Sequence, residues 1–157
     1  MSDPLKTNFL KKVQKVLEVH EDEVVTFTTS TLAQTMLPHS DPGDVPSYTR
    51  RAGHLTLTIQ PYIEATGREE YKNYGIPYGV IPRLVLLWLI SEAVITKNRE
   101  VPLGDSLTAF MKNLDMVPTG GRWGTITRLK EQIKKLFYSR FSLINSTEQG
   151  GHLHNIT

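Results

Sequence analysis

Residues 119–137 read Thr-Gly-Gly-Arg-Trp-Gly-Thr-Ile-Thr-Arg-Leu-Lys-Glu-Gln-Ile-Lys-Lys-Leu-Phe. Ile126, Leu129, Ile133, Leu136 and Phe137 recur there at helical spacing, which predicts an amphipathic helix over 122–138 with these five as its inner stripe. Pro118, Gly120 and Gly121 predict a tight turn just before it. Upstream, Asp105 or Ser106 is placed to cap a helix over 105–115, in which Leu107, Phe110, Met111 and Leu114 hold the i, i+3, i+4, i+7 pattern. Before that, Pro82 opens a helix over 82–98 that is apolar on every side from Leu84 to Ile90, the mark of a helix buried by its neighbours. Downstream, Ser139–Asn145 and His152–Thr157 predict two strands around the loop Ser146–Gly151. Helix, helix, turn, helix and hairpin in that order is a helix-turn-helix followed by a wing over 139–157, which is the order of a winged helix.

The first half is expected to add to that unit. Leu5, Phe9, Val13, Val16 and Leu17 predict an amphipathic helix over 5–19. The β-branched run Val24–Thr29 predicts a short strand, and Ser30 or Thr31 a cap for a short helix ended by Pro38. His39–Pro46 is a loop by composition. His54–Gln60 alternates strictly, with Leu55, Leu57 and Ile59 on one face and Thr56, Thr58 and Gln60 on the other, so it is expected to be a half-buried strand. Tyr62–Gly79 is expected to be an irregular β-excursion or an ordered loop. The fold class expected is α+β: one winged-helix domain over 1–157 with an N-terminal helix and a small antiparallel sheet.

Composition removes several classes of function. The chain has 157 residues, 39% hydrophobic and 22% charged, enough for one core, and no cysteine. A disulfide framework, a thiolate zinc site and a cysteine nucleophile are thereby excluded. Met1–Lys12 lacks the apolar centre of a secretory signal, and Val80–Ile95, interrupted by Pro82, Arg83, Ser91 and Glu92, falls short of the roughly 20 apolar residues that a membrane span needs. A cytoplasmic location, with no membrane partner, is expected.

Charge is unevenly distributed. Between Gly121 and Arg140 stand six basic residues, Arg122, Arg128, Lys130, Lys134, Lys135 and Arg140, against Glu131 alone. That segment carries +5, which leaves the rest of a +2 chain at −3. A basic patch on a slightly acidic body is an electrostatic footprint for phosphate, although a solvated helix face has the same composition. In a helix-turn-helix the second helix lays its first residues in the major groove. Thr119, Arg122, Thr125 and Thr127 are candidate donors at that start, together with free backbone amides. Arg128 is the candidate base reader, because its fork matches guanine O6 and N7. Lys134, Lys135 and Arg140 are candidate phosphate contacts. On a helical wheel the outward face holds Gly124, Arg128, Glu131 and Lys135, with Thr127, Gln132 and Lys134 beside it. Trp123, next to a tight turn, is expected to pack on the core rather than stack on DNA.

Three longer strings carry a resemblance: GHLTLTIQPY (53–62), IPYGVIPRLVLLWLISEAVITKNREVPLGDSLTAFMKNL (76–114) and PTGGRWGTITRLKEQIKKLF (118–137). Together they resemble the plasmid-encoded RepA family of replication initiators, from about Thr31 to Phe141. Thr119, Gly120, Gly121, Arg122, Trp123, Gly124 and Arg128 match the family's block. The resemblance implies winged-helix domains that bind origin repeats in double-stranded DNA, recruit host replication proteins and balance a homodimer against a DNA-active monomer, in a bacterial cytoplasm. Family members usually continue past the wing, so the chain is expected to be the N-terminal domain of a longer initiator.

Rival readings are an interaction module, with Leu84–Ile95 or Leu55–Ile59 at a dimer interface, and a winged-helix transcriptional repressor. A nickase would need two histidines on a metal and a nucleophilic tyrosine. His152-Leu153-His154 supplies the histidines, but no tyrosine follows, and two histidines leave a divalent ion under-ligated. Neither a phosphate-binding loop nor a Gly-x-Ser-x-Gly elbow occurs. No enzymatic activity and no cofactor are expected.

Overall fold

The computed structural model describes Lys11, residues 37–146 and the backbone of 152–156. Of the expected helix over 5–19 only Lys11, which is helical and exposed, is described; the strand Val24–Thr29 and the short helix after it lie outside the described residues. The elements are β1 (Tyr48–Ala52), β2 (Leu55–Gln60), β3 (Ile63–Ala65), β4 (Tyr71–Asn73), α1 (Val80–Thr96), α2 (Leu107–Asn113), α3 (Thr125–Tyr138), β5 (Arg140–Asn145) and β6 (His152–Ile156). The fold is α+β, as expected, with three helices and two small antiparallel sheets among the described residues. The larger sheet runs β1-β2-β5-β6, and β3-β4 form a separate hairpin.

β2 is the strand that the alternation predicts, and it organises the sheet. Its Leu55, Leu57 and Ile59 are buried, while Thr56 and Thr58 are half-buried on the other face. It pairs with β1 across a two-residue turn, Gly53–His54, where Gly53 holds φ 60, the positive value that such a hairpin needs at its first central residue. On its other side β2 pairs with β5, setting Leu57 opposite Leu143 and Ile59 opposite Phe141. This long-range ladder ties the C-terminal hairpin to the first half of the chain.

Two hydrophobic clusters result. One is formed by Leu37, Leu55, Leu57, Ile59, Ile76 and Leu143 on the sheet. The other joins the helices through Val85, Trp88, Phe110, Met111, Leu129 and Leu136. Leu86 of α1 and Phe141 of β5 pack against both clusters and weld them together. The segment before β1 is pinned to the start of α1, where Gly79 N donates to Pro38 O at 2.9 Å and Arg83 Nη2 to Leu37 O at 2.7 Å.

α3 differs from its predicted form in two ways. It starts at Thr125 rather than Arg122, with Gly124 as its N-cap. It is also turned about its axis: the buried residues are Leu129, Gln132 and Leu136, while Phe137, expected inside, is 57% exposed. Gln132 accounts for the turn. Its Oε1 accepts the backbone N–H of Tyr78 at 2.9 Å, satisfying a donor that burial would otherwise strand. Leu129→Ala is therefore expected to cost about 2–5 kcal/mol in urea unfolding, and Phe137→Ala to stay within about 0.5 kcal/mol. The reverse order of effects would restore the predicted face.

Candidate nucleic-acid interface

The turn before α3 is built by two threonines. Thr119 N donates to Thr125 Oγ1 at 2.9 Å, and Thr125 N donates to Thr119 Oγ1 at 2.9 Å. Thr125 Oγ1 also donates to Val117 O at 2.7 Å, and Thr127 Oγ1 to Gly121 O at 2.9 Å. Ile126 N reaches Thr119 O at 3.3 Å. Thr119 thus caps α3 from six positions upstream of Thr125, and two of the amides that a bare helix end offers to an anion are already taken. Thr119, Thr125 and Thr127 are candidate DNA donors by sequence; the structure spends their polar atoms on holding the turn.

Gly124 lies within this lock. A Cβ added there would collide with the carbonyl oxygens of Thr119 and Gly120, so its glycine answers to the chain's own backbone. Gly121 holds φ 87, with open space around it, and open space also surrounds Gly120. The connection from α2 to α3 spans 114–124, longer than the three or four residues typical of a helix-turn-helix.

Trp123 corrects the expectation of core packing. It is 83% exposed, because the lock turns residues 122 and 123 outward. The Arg122 guanidinium lies over its ring at 5.3 Å. On α3 itself Arg128, Lys130, Glu131, Lys134, Phe137 and Tyr138 are exposed. Lys130 belongs to the basic run without standing out in it by sequence; it is exposed, and its four-residue spacing puts it on the same face of α3 as Lys134. Arg140 is exposed at the start of β5, about 20 Å from the N-terminal end of the 14-residue helix. The candidates therefore divide between the two ends of α3.

Lys135 is turned inward instead. Its side chain is 20% exposed, lies against Gly75, and puts Nζ 4.7 Å from the centre of the Tyr78 ring and 4.0 Å from Asp41 Oδ2. Burial and Asp41 raise the Tyr78 phenol above its ordinary pKa, while Arg128 pulls it down. His39, Tyr78, Gly79, Arg128, Glu131 and Gln132 line a cleft of about 270 Å³ beside α3.

At the far end of α3, Tyr138 stacks on Tyr74 at 5.0 Å and 17°, and Tyr62 closes a three-ring cluster. Lys72 and Lys134 lie over Tyr74 at 4.8 and 6.0 Å. Tyr74 donates its hydroxyl to Glu64 at 2.7 Å, and that bond pushes its pKa up to about 12. This cluster fastens the β3-β4 hairpin to α3. Spacing does not reveal it, since its rings are drawn from distant stretches of the chain.

Fold and site together define a small α+β domain that presents a basic helix and an exposed tryptophan. A model of the family described as plasmid encoded RepA protein matches residues 76–156, just over half of the chain, and the chain belongs to that family. The matched model is that of the family's C-terminal domain, which overturns the expectation of an N-terminal one. No curated protein and no solved structure matches. Among the described residues, no helix is long and apolar enough to cross a membrane, and no group of acidic or histidine side chains is set to hold a metal.

Replacing Gly124 with Ala is expected to cost about 1–3 kcal/mol by overpacking, seen as a lowered melting temperature by circular dichroism. Gly120→Ala, which meets open space, should melt close to the parent. Equal melting of the two variants would contradict the lock.

Proposed function

We propose that the chain is a non-enzymatic, sequence-specific DNA-binding component of plasmid replication initiation, and that α3 with the turn before it is its DNA-facing surface. Membership of the RepA family is the observation that carries this reading. The exposed basic side chains of α3 support it, because neutralising phosphates supplies a large share of the affinity of DNA-binding proteins. In this reading the β5-β6 hairpin serves as the wing of a winged helix. Repeats at the origin are the target, and homodimer formation and recruitment of host replication proteins accompany binding.

The roles divide by position. Arg128, at the exposed edge of α3 nearest its start, reads a guanine. Glu131 beside it is suited to accept from a cytosine amine. Lys130 and Lys134 contact phosphate, and Arg122 does so from the turn. Arg140 meets phosphate further along the duplex. Lys135, held on Tyr78, adds to the local field rather than to direct contact.

Arg128→Ala is expected to weaken binding of the origin repeat by about 1–3 kcal/mol and to relax preference at one base position. Lys134→Ala should weaken binding to every sequence alike and reduce the slope of log affinity against log salt by about 1. Fluorescence anisotropy over a salt series measures both. Binding unchanged in both variants would remove α3 from the DNA.

A further inference from the structure

We propose that Trp123 is a stacking wedge that enters a base step of the bound duplex and unstacks it, so that the turn at the start of α3 deforms DNA as well as docking on it. This rests on the DNA-binding reading above. It goes further by assigning the deformation to one residue.

Four observations point there. A tryptophan 83% exposed presents a large, rigid aromatic face that is free to stack on a base. The ring stands on a braced support, because the paired Thr119–Thr125 hydrogen bonds and the Thr127–Gly121 bond fix the turn on both sides of it. A wedge must be stiff, since a floppy side chain would fold back rather than push stacked bases apart. The approach is open: a Cβ at Gly120 or Gly121 would have no neighbour within 4 Å, so the backbone beside the ring is bare. Finally, Arg122 lies over one face of the indole, which leaves the other face to stack on a base and keeps a cation beside the ring.

The closed helix end strengthens the case. Thr119 occupies two amides with which α3 would otherwise hold a phosphate, so this end offers DNA its side chains, the Arg122–Trp123 pair and Arg128. Aromatic rings stack on bases whatever the sequence, and apolar wedges between base steps kink duplexes. DNA rather than an apolar protein partner is favoured by the charge around the ring, where Arg122 and Arg128 stand on either side of it in the chain.

The two tryptophans make the test direct. Trp88 is 3% exposed and packs edge-on to Phe110, whereas Trp123 faces solvent. Full-length chain would be titrated with duplexes tiling the plasmid origin, with 2-aminopurine walked through the bound repeat. Binding is expected to shield Trp123 from acrylamide, leave Trp88 unchanged and brighten 2-aminopurine at one step. Trp123→Phe should retain the signal. Trp123→Ala should lose it and weaken binding about tenfold, with an unchanged circular dichroism spectrum. Binding with dark 2-aminopurine and a Trp123 still open to acrylamide overturns the wedge and leaves the DNA reading standing, as does an Arg128→Ala loss of binding that Trp123→Ala does not share. Shielding of Trp123 that rises with protein concentration in the absence of DNA assigns the ring to a second copy and also overturns the wedge. No binding to any duplex overturns both.

Discussion

Much of the candidate interface depends on the close approach of Gly124 to the carbonyls of Thr119 and Gly120. Only a residue without a Cβ lets the chain fold back this tightly onto the start of α3. Once it does, Thr119 and Thr125 exchange hydrogen bonds, the helix is capped by its own upstream loop, and residues 122 and 123 stand exposed. The exposed tryptophan, the occupied amides and the late helix start all follow from this one contact.

The rest of the molecule holds that corner in place. The β2-β5 ladder pairs residues 80 to 90 positions apart in the sequence, and Leu86 and Phe141 extend the sheet core into the helical core. α3 is fixed about its axis by Leu129 and Leu136 on the helices and by Gln132 on the Tyr78 amide. The tyrosine cluster secures its far end to the β3-β4 hairpin. A helix clamped along its length keeps its exposed cations in a fixed pattern, which a reader of DNA requires, since recognition is lost when the supporting residues let a side chain drift.

Strong periodicity is legible in the sequence and weak periodicity is not. β2 follows directly from the alternation of Leu55, Leu57 and Ile59, and the three described helices overlap the spans that the apolar pattern gives, with shifted ends. β1 carries two arginines and little apolar alternation, and its signal is the Gly53–His54 turn rather than the strand itself. The rotation of α3 is hidden because a buried glutamine contradicts hydrophobic patterning, and only the distant Tyr78 amide explains it. The site is legible as a basic run. Which charges are exposed is not, because Lys135 is drawn inward by Tyr78 and Asp41, residues far away in sequence. The outward direction of Trp123 is hidden for a related reason: it depends on threonine hydrogen bonds that composition does not reveal.

Amide hydrogen exchange of the full chain, with and without origin duplex, locates the surface that faces DNA. Slowed exchange concentrated in residues 119–138 and absent from β1 and the β3-β4 hairpin is the predicted result. Protection centred on those strands, or none anywhere under conditions where the duplex is bound, would contradict α3 and its preceding turn as the DNA-facing surface.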